Sequence, residues 1–217
     1  MNDLLYNEAR ISPASAPCLL LAHGAGVGSE SPFMQRLAES LAGAGINVWR
    51  FEFPYMQKRR VDGRKRPPDR QSVLLTHFAG MVEQCRSDLT PGQALVIGGK
   101  SMGGRMASLL AALPDGPDVQ GVACFGYPFH PPGKPDQWRT EHFSQVRCPV
   151  AVLQGTRDPF GKPEELFRHG PLPGQVHLSW LEGGDHDLRP LKKQQLPEFA
   201  LIDRAAAIAA DFIHSIR

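Results

Sequence analysis

The chain has 217 residues, of which 41% are apolar and 21% charged, with a formal net charge of +2. That length buries a sizeable core without disulfides or metals, and so small a net charge argues against a nucleic-acid or membrane partner except through local clustering. Met1 to Glu8 lack the basic start and apolar run of a signal peptide, and no stretch approaches the ~18 apolar residues of a membrane span. The expectation is therefore a soluble, cytoplasmic protein with one domain over 1–217.

In chain order, Cys18 to Ala22 is a short apolar run ending at His-Gly and reads as a strand. Pro32 to Ala44, with Phe33, Leu37 and Leu41 at four-residue spacing, reads as a helix stopped by Gly45. Ile46 to Phe53 is rich in β-branched and aromatic residues and reads as the next strand. Pro54 to Pro68 is polar and basic and is expected to be a loop, followed by a helix over Arg70 to Ser87. The pattern then repeats. Strands are expected at Ala94 to Ile97, Val119 to Phe125, Val150 to Gln154 and Val176 to Leu181. Helices are expected at Met102 to Leu113, at a short piece around Gln137 to Gln145, and at Pro197 to Ile216. Short, mostly apolar strands alternating with helices imply a doubly wound, mostly parallel sheet of about six or seven strands covered on both faces. Ligands of such sheets bind outside the carboxyl ends of the strands. The four cysteines, at 18, 85, 124 and 148, form no C-x-x-C pair; Cys18, Cys124 and Cys148 lie in or beside apolar runs and read as reduced core thiols.

The middle strand leads into Gly98-Gly99-Lys100-Ser101-Met102-Gly103-Gly104. Gly99-x-Ser101-x-Gly103 is a G-x-S-x-G nucleophile elbow, placed between strand and helix as that motif requires. Side chains two positions either side of the serine would collide with neighbouring elements, which explains the glycines. A P-loop ending in G-K-S would need glycine where Ala94 stands. A serine nucleophile needs a base oriented by an acid. In this arrangement the acid and then the histidine follow the serine along the chain. Asp158, at the end of the strand Val150 to Gln154, is the expected acid, and His186, after the last strand, the expected base. Asp185 and Asp187 flank that histidine, but adjacent residues do not converge on one ion without further ligands, so no metal and no cofactor are expected. His130 and His142 lie in a loop after a strand and could border the pocket.

Donors to a developing oxyanion are expected from the Met102 N–H and from the loop His23-Gly24-Ala25-Gly26, with the Ala25 N–H chosen. A dinucleotide fingerprint in that loop would need glycine at Ser29. Lys58 to Arg66 hold six cations and one anion. They are either a solvated loop or, through Arg59 and Arg60, a contact for an anionic substrate or partner. Tyr127 to Pro135 is stiff and aromatic and is expected, through Tyr127 and Phe129, to form a pocket wall.

The stretches LLLAHGAG (19–26), FEFPYM (51–56), PPDR (67–70), GGKSMGGRMAS (98–108), GYPFHPPGKPDQWRTEHF (126–143), LQGTRDPFG (153–161) and GGDHDL (183–188) resemble a family of α/β-hydrolase-like proteins. It is typified by a testis-expressed protein and by a subunit of the non-specific-lethal chromatin complex. The dienelactone-hydrolase-like proteins look like more distant relatives, usually with a cysteine nucleophile where this chain has Ser101. The resemblance implies a compact α/β-hydrolase core without a large cap, with Ser101, Asp158 and His186 as triad positions; it supplies no substrate. The expected activity is hydrolysis of an ester, thioester or similar small acyl substrate. A binding module and an acyltransferase on the same fold are the alternatives.

Overall fold

A computed structural model describes residues 4–216. Seven strands form one sheet in the order β1-β3-β2-β4-β5-β6-β7. They are β1 (Leu4–Asn7), β2 (Cys18–Ala22), β3 (Asn47–Phe51), β4 (Leu95–Lys100), β5 (Gly121–Phe125), β6 (Val150–Gly155) and β7 (Val176–Leu181). All neighbours are parallel except β1, which runs antiparallel to β3 at the sheet edge. The helices are α1 (Pro32–Gly43), α2 (Pro54–Asp62), α3 (Gln71–Ser87), α4 (Met102–Ala111), α5 (Pro163–His169) and α6 (Ala200–Ser215), with a 3-10 turn at Glu141–Gln145.

Strand alternation builds two cores. Leu20, Phe51, Ile97, Val122, Cys124 and Val152 point to one face, where Phe78 of α3 and Leu110 of α4 cover them. Leu19, Leu21, Val48, Val96, Ala123 and Leu153 point to the other, beneath Leu37 of α1 and Ile202 of α6. Because β2, β4, β5 and β6 are buried on both faces, they read in the sequence as continuous apolar runs rather than as alternation. The thiols of Cys18, Cys85 and Cys124 are buried, Cys148 is partly exposed, and all four are free.

Three elements depart from the sequence reading. The edge strand β1 was not expected, since four residues carry too little pattern. The segment 54–62, expected as a loop, is helix α2. Only Tyr55 and Met56 of it are buried, so it has almost no apolar period. It is held instead by Pro54 in its first turn, by Asp69 accepting the Tyr55 N–H at 2.9 Å, and by left-handed Gly63 at its end. The short helix α5, whose one buried side chain is Leu166, was also missed. Among the described residues no helix is long and apolar enough to cross a membrane.

Candidate active site

β4 continues three residues past its expected end, through two glycines, and delivers Ser101 to the start of α4. Ser101 has φ 52° and ψ −114°, in the left-handed region that serine rarely adopts. Its N–H donates to the Phe125 carbonyl at 2.9 Å, which anchors the turn to β5. The tight turn forces α4 against β2: a Cβ on Gly99 would stand 2.6 Å from the Ala22 carbonyl oxygen, and one on Gly103 2.5 Å from the same atom. Both positions accept glycine alone.

A chain of hydrogen bonds starts at this serine. Ser101 Oγ lies 2.9 Å from His186 Nε2, and His186 Nδ1 lies 2.8 Å from Asp158 Oδ2. The carboxylate can only accept, so Nδ1 carries the proton and Nε2 presents its lone pair to the serine hydroxyl. Asp158 is fully buried, and a buried carboxylate needs donors on both oxygens. Oδ1 receives the Phe160 N–H at 2.9 Å, and Oδ2 receives Gln154 Nε2 at 3.0 Å as well as the imidazole. The Phe160 ring lies against the His186 ring with centroids 4.3 Å apart.

The loop after β2 approaches the serine closely. A Cβ on Gly24 would lie 3.8 Å from Ser101 Cβ, and Ala25 itself is exposed. Its carbonyls are held by side chains. His23 Nδ1 lies 2.6 Å from the Gly24 oxygen, the Tyr55 hydroxyl is 3.2 Å from Gly24 O and 3.0 Å from Ala25 O, and Arg59 Nη1 donates to Gly26 O at 2.8 Å. In a planar trans peptide the carbonyl and the following N–H point in opposite directions. Holding Gly24 O toward Tyr55 therefore turns the Ala25 N–H away from Tyr55. His23 Nε2 accepts the Phe53 N–H at 3.1 Å, so Nδ1 holds the proton in the neutral ring, and burial lowers the pKa of His23 to about 4.

Residues 15–214 match the family model described as the alpha/beta hydrolase domain. The chain belongs to that family. Its fold is shared with Est1E from Butyrivibrio proteoclasticus (13% identity, TM-score 0.72, covering 98% of this chain and 94% of that one). A dienelactone hydrolase from Anabaena variabilis is similar at 21% identity and TM-score 0.71, over 99% and 92% of the two chains. XC6422 from Xanthomonas campestris, an α/β serine hydrolase without a lid, is similar at 21% identity and TM-score 0.66, over 98% and 88%. Among the described residues the seven strands and six helices leave no large cap.

Lys100, the residue before the serine, has a role that sequence reasoning missed. Its side chain is almost fully buried; Nζ donates to the His186 carbonyl at 2.5 Å, lies 3.4 Å from Asp187 Oδ1, and sits 5.3 Å from the Phe33 ring centroid. Burial lowers its pKa, opposed chiefly by Asp187 and Asp158. One cation thus fastens the histidine loop to the strand that carries the serine. The flanking acids have structural work. Asp185 Oδ1 accepts the Asp187 and Arg189 N–H groups at 2.9 Å each and shapes the loop, while Asp187 faces Lys100. Among the described residues no three His, Cys, Asp or Glu side chains gather as a metal site would require.

The expected substrate contacts are placed elsewhere by the fold. Tyr127 and Phe129 are both 0% exposed. They pack on each other at 5.0 Å, Tyr127 also packs on Phe143, and neither offers surface to a substrate. Bulky aromatic side chains after a strand served the core here. Arg59 braces Gly26, and Arg60 lies 3.4 Å from the buried Glu52 Oε2, so both face protein groups beside the site. His130 is buried against Glu165 at 3.2 Å, and the half-buried His142 lies 2.8 Å from Ser108 Oγ. Beside the histidine loop a cavity of about 230 Å³ opens between Val27, Phe33, Asp187, Arg189, Phe199 and Ile202.

Proposed function

We propose that this protein is a cofactor-independent serine hydrolase acting on small acyl substrates, esters or thioesters. The observation that carries the reading is the hydrogen-bonded series Ser101–His186–Asp158 at a left-handed strand-to-helix turn. In the proposed reaction Ser101 Oγ attacks the acyl carbon while His186 Nε2 takes its proton. Asp158, buried and saturated with donors, holds the imidazole in the correct tautomer and stabilises the imidazolium that forms. The Met102 and Ala25 N–H groups receive the negative charge that develops on the carbonyl oxygen. His186 then protonates the leaving group, and water repeats the sequence on the acyl-enzyme.

The cavity beside the histidine loop is smaller than the ~300–1,000 Å³ of drug-sized ligand sites. Its walls mix apolar side chains (Val27, Phe33, Phe199, Ile202) with the charged Asp187 and Arg189, and its size suits a short acyl or alcohol group. The extended motif resemblance to the testis-expressed and chromatin-complex-subunit type, and a cytoplasmic location, belong to the same proposal. The test is labelling with a fluorophosphonate together with p-nitrophenyl esters of increasing chain length. The native protein should be labelled on Ser101 and prefer short chains. Undiminished labelling or turnover in Ser101→Ala would overturn the reading.

A further inference from the structure

Arg105 follows Ser101 by one turn of α4, and its charge reaches Arg139 on the segment after β5. Ser101, Arg105 and Ser108 follow one another at spacings of four and three residues, so they share one stripe of α4. That stripe faces the segment after β5, because Ser108 Oγ lies 2.8 Å from His142 Nε2. Arg105 stands about 6 Å along the axis from Ser101, and its N–H donates to the Ser101 carbonyl at 3.0 Å. Arg139 arrives from the opposing segment on a clamped backbone. Its N–H donates to Phe129 O at 2.8 Å and its carbonyl receives the Tyr127 hydroxyl at 2.8 Å. Next to it, Trp138 stacks on His169 with centroids 3.8 Å apart.

The pair is uncompensated. The pKa of Arg139 is lowered, first by burial and then by the charge of Arg105. Like charges brought together cost free energy unless a partner offsets them. Among the described residues no ion pair joins either guanidinium to a carboxylate. Arg105 Nε is also buried without a hydrogen-bond partner. His142 and Tyr127, beside the two arginines, add no negative charge. Burial and Arg105 hold the pKa of His142 at about 4, and burial raises the pKa of the Tyr127 hydroxyl. Glu141 acts on the His142 ring and pairs with neither arginine.

We infer that Arg105 and Arg139 form a subsite for an anionic group, a carboxylate or a phosphate, carried by the substrate whose acyl carbon meets Ser101. The inference rests on the acyl-hydrolase reading for that last clause. Guanidinium forks match such oxyanions in two parallel hydrogen bonds, and the clamped Arg139 backbone fixes the point from which that side chain reaches.

Binding tests the subsite without turnover. Ser101→Ala protein is titrated by calorimetry at low salt with inorganic phosphate and, separately, with succinate. Saturable binding of at least one is expected, and the tighter one identifies the anion class. Arg105→Gln and Arg139→Gln, each in that background, should weaken it at least about tenfold, the loss of one charge-assisted bond. Arg139→Lys keeps the charge and should retain part of the binding, which separates a lost contact from a lost fold. In the Ser101 protein, the ratio of kcat/KM for p-nitrophenyl hemisuccinate over p-nitrophenyl acetate should fall about tenfold in either glutamine variant. Absence of saturable binding by both anions, or binding indifferent to both glutamine variants, overturns the subsite. Intact, arginine-dependent binding in a protein that cleaves no ester supports the subsite and overturns the acyl-hydrolase reading instead.

Discussion

The turn that carries Ser101 and the loop that carries His186 are held by different physics. The turn is fixed by backbone sterics: Gly99 and Gly103 let α4 and β2 approach until no Cβ fits, and the serine N–H is anchored on β5. The histidine loop is held by side chains from elsewhere in the chain. Asp158 and Gln154 come from the end of β6, Phe160 packs over the ring, and Lys100 grips the backbone carbonyl. Sterics give an all-or-none constraint, whereas hydrogen bonds give one that loosens by degrees. The serine's place should thus fail abruptly and the histidine's place gradually.

Mutations separate the two. The largest effect on rate is expected from Ser101→Ala, a loss of about 10⁴-fold or more in kcat for short p-nitrophenyl esters, with the melting temperature little changed because alanine keeps the Cβ and with it the strain at positive φ. The steric constraint is broken by Gly103→Ala. Its Cβ would press on the Ala22 and His23 carbonyls, so α4 must shift, at a cost of about 2–4 kcal/mol in urea unfolding. Lys100→Met keeps the bulk and removes the grip on the histidine loop. A 10–100-fold loss in kcat with KM little changed is expected, together with a displaced pH profile that a purely structural effect would not produce. Gln154→Leu takes one of three donors from Asp158 and should cost less than tenfold in kcat.

Acid sharpens the same contrast. The His23 imidazole protonates near pH 6.5 in the unfolded chain but at about 4 in the folded protein. Between those values the unfolded state binds more protons. The stabilisation by neutral His23 is therefore complete above pH 6.5 and is lost as pH falls toward 4, by about 3 kcal/mol. His142 acts with the same sign and a smaller weight, being partly exposed. The urea midpoint of the native protein should fall steadily over this window, since the hydrogen-bonded loop after β2 titrates and the glycine contacts do not. A midpoint flat from pH 7 to 4 would show that His23 does not hold that loop.

The sequence made the strongly patterned parts legible. β2, β4, β5 and β6 are apolar runs because both faces are covered, and α1, α4 and α6 show one apolar stripe each. Ser101, Asp158 and His186 were legible because each follows a strand in a fixed order, and the fold brings all three within hydrogen-bond distance. What stayed hidden depends on partners distant in sequence. α2 forms through Asp69 and Gly63 rather than through an apolar period. Tyr127 and Phe129 looked like pocket walls because nothing local reveals that Phe143 closes over Tyr127. Lys100 was read only for its place in a G-K-S string beyond the expected strand end at Ile97; its role shows only once β4 is seen to run on through it as a strand buried on both faces.

The left-handed backbone at Ser101 also limits which reactions this scaffold can evolve. A β-branched side chain is strongly disfavoured at positive φ, so threonine cannot take the position without unwinding the turn. Cysteine is unbranched and fits the same backbone. A single substitution therefore opens a path to thiol chemistry, while the path to a threonine nucleophile requires a new turn first.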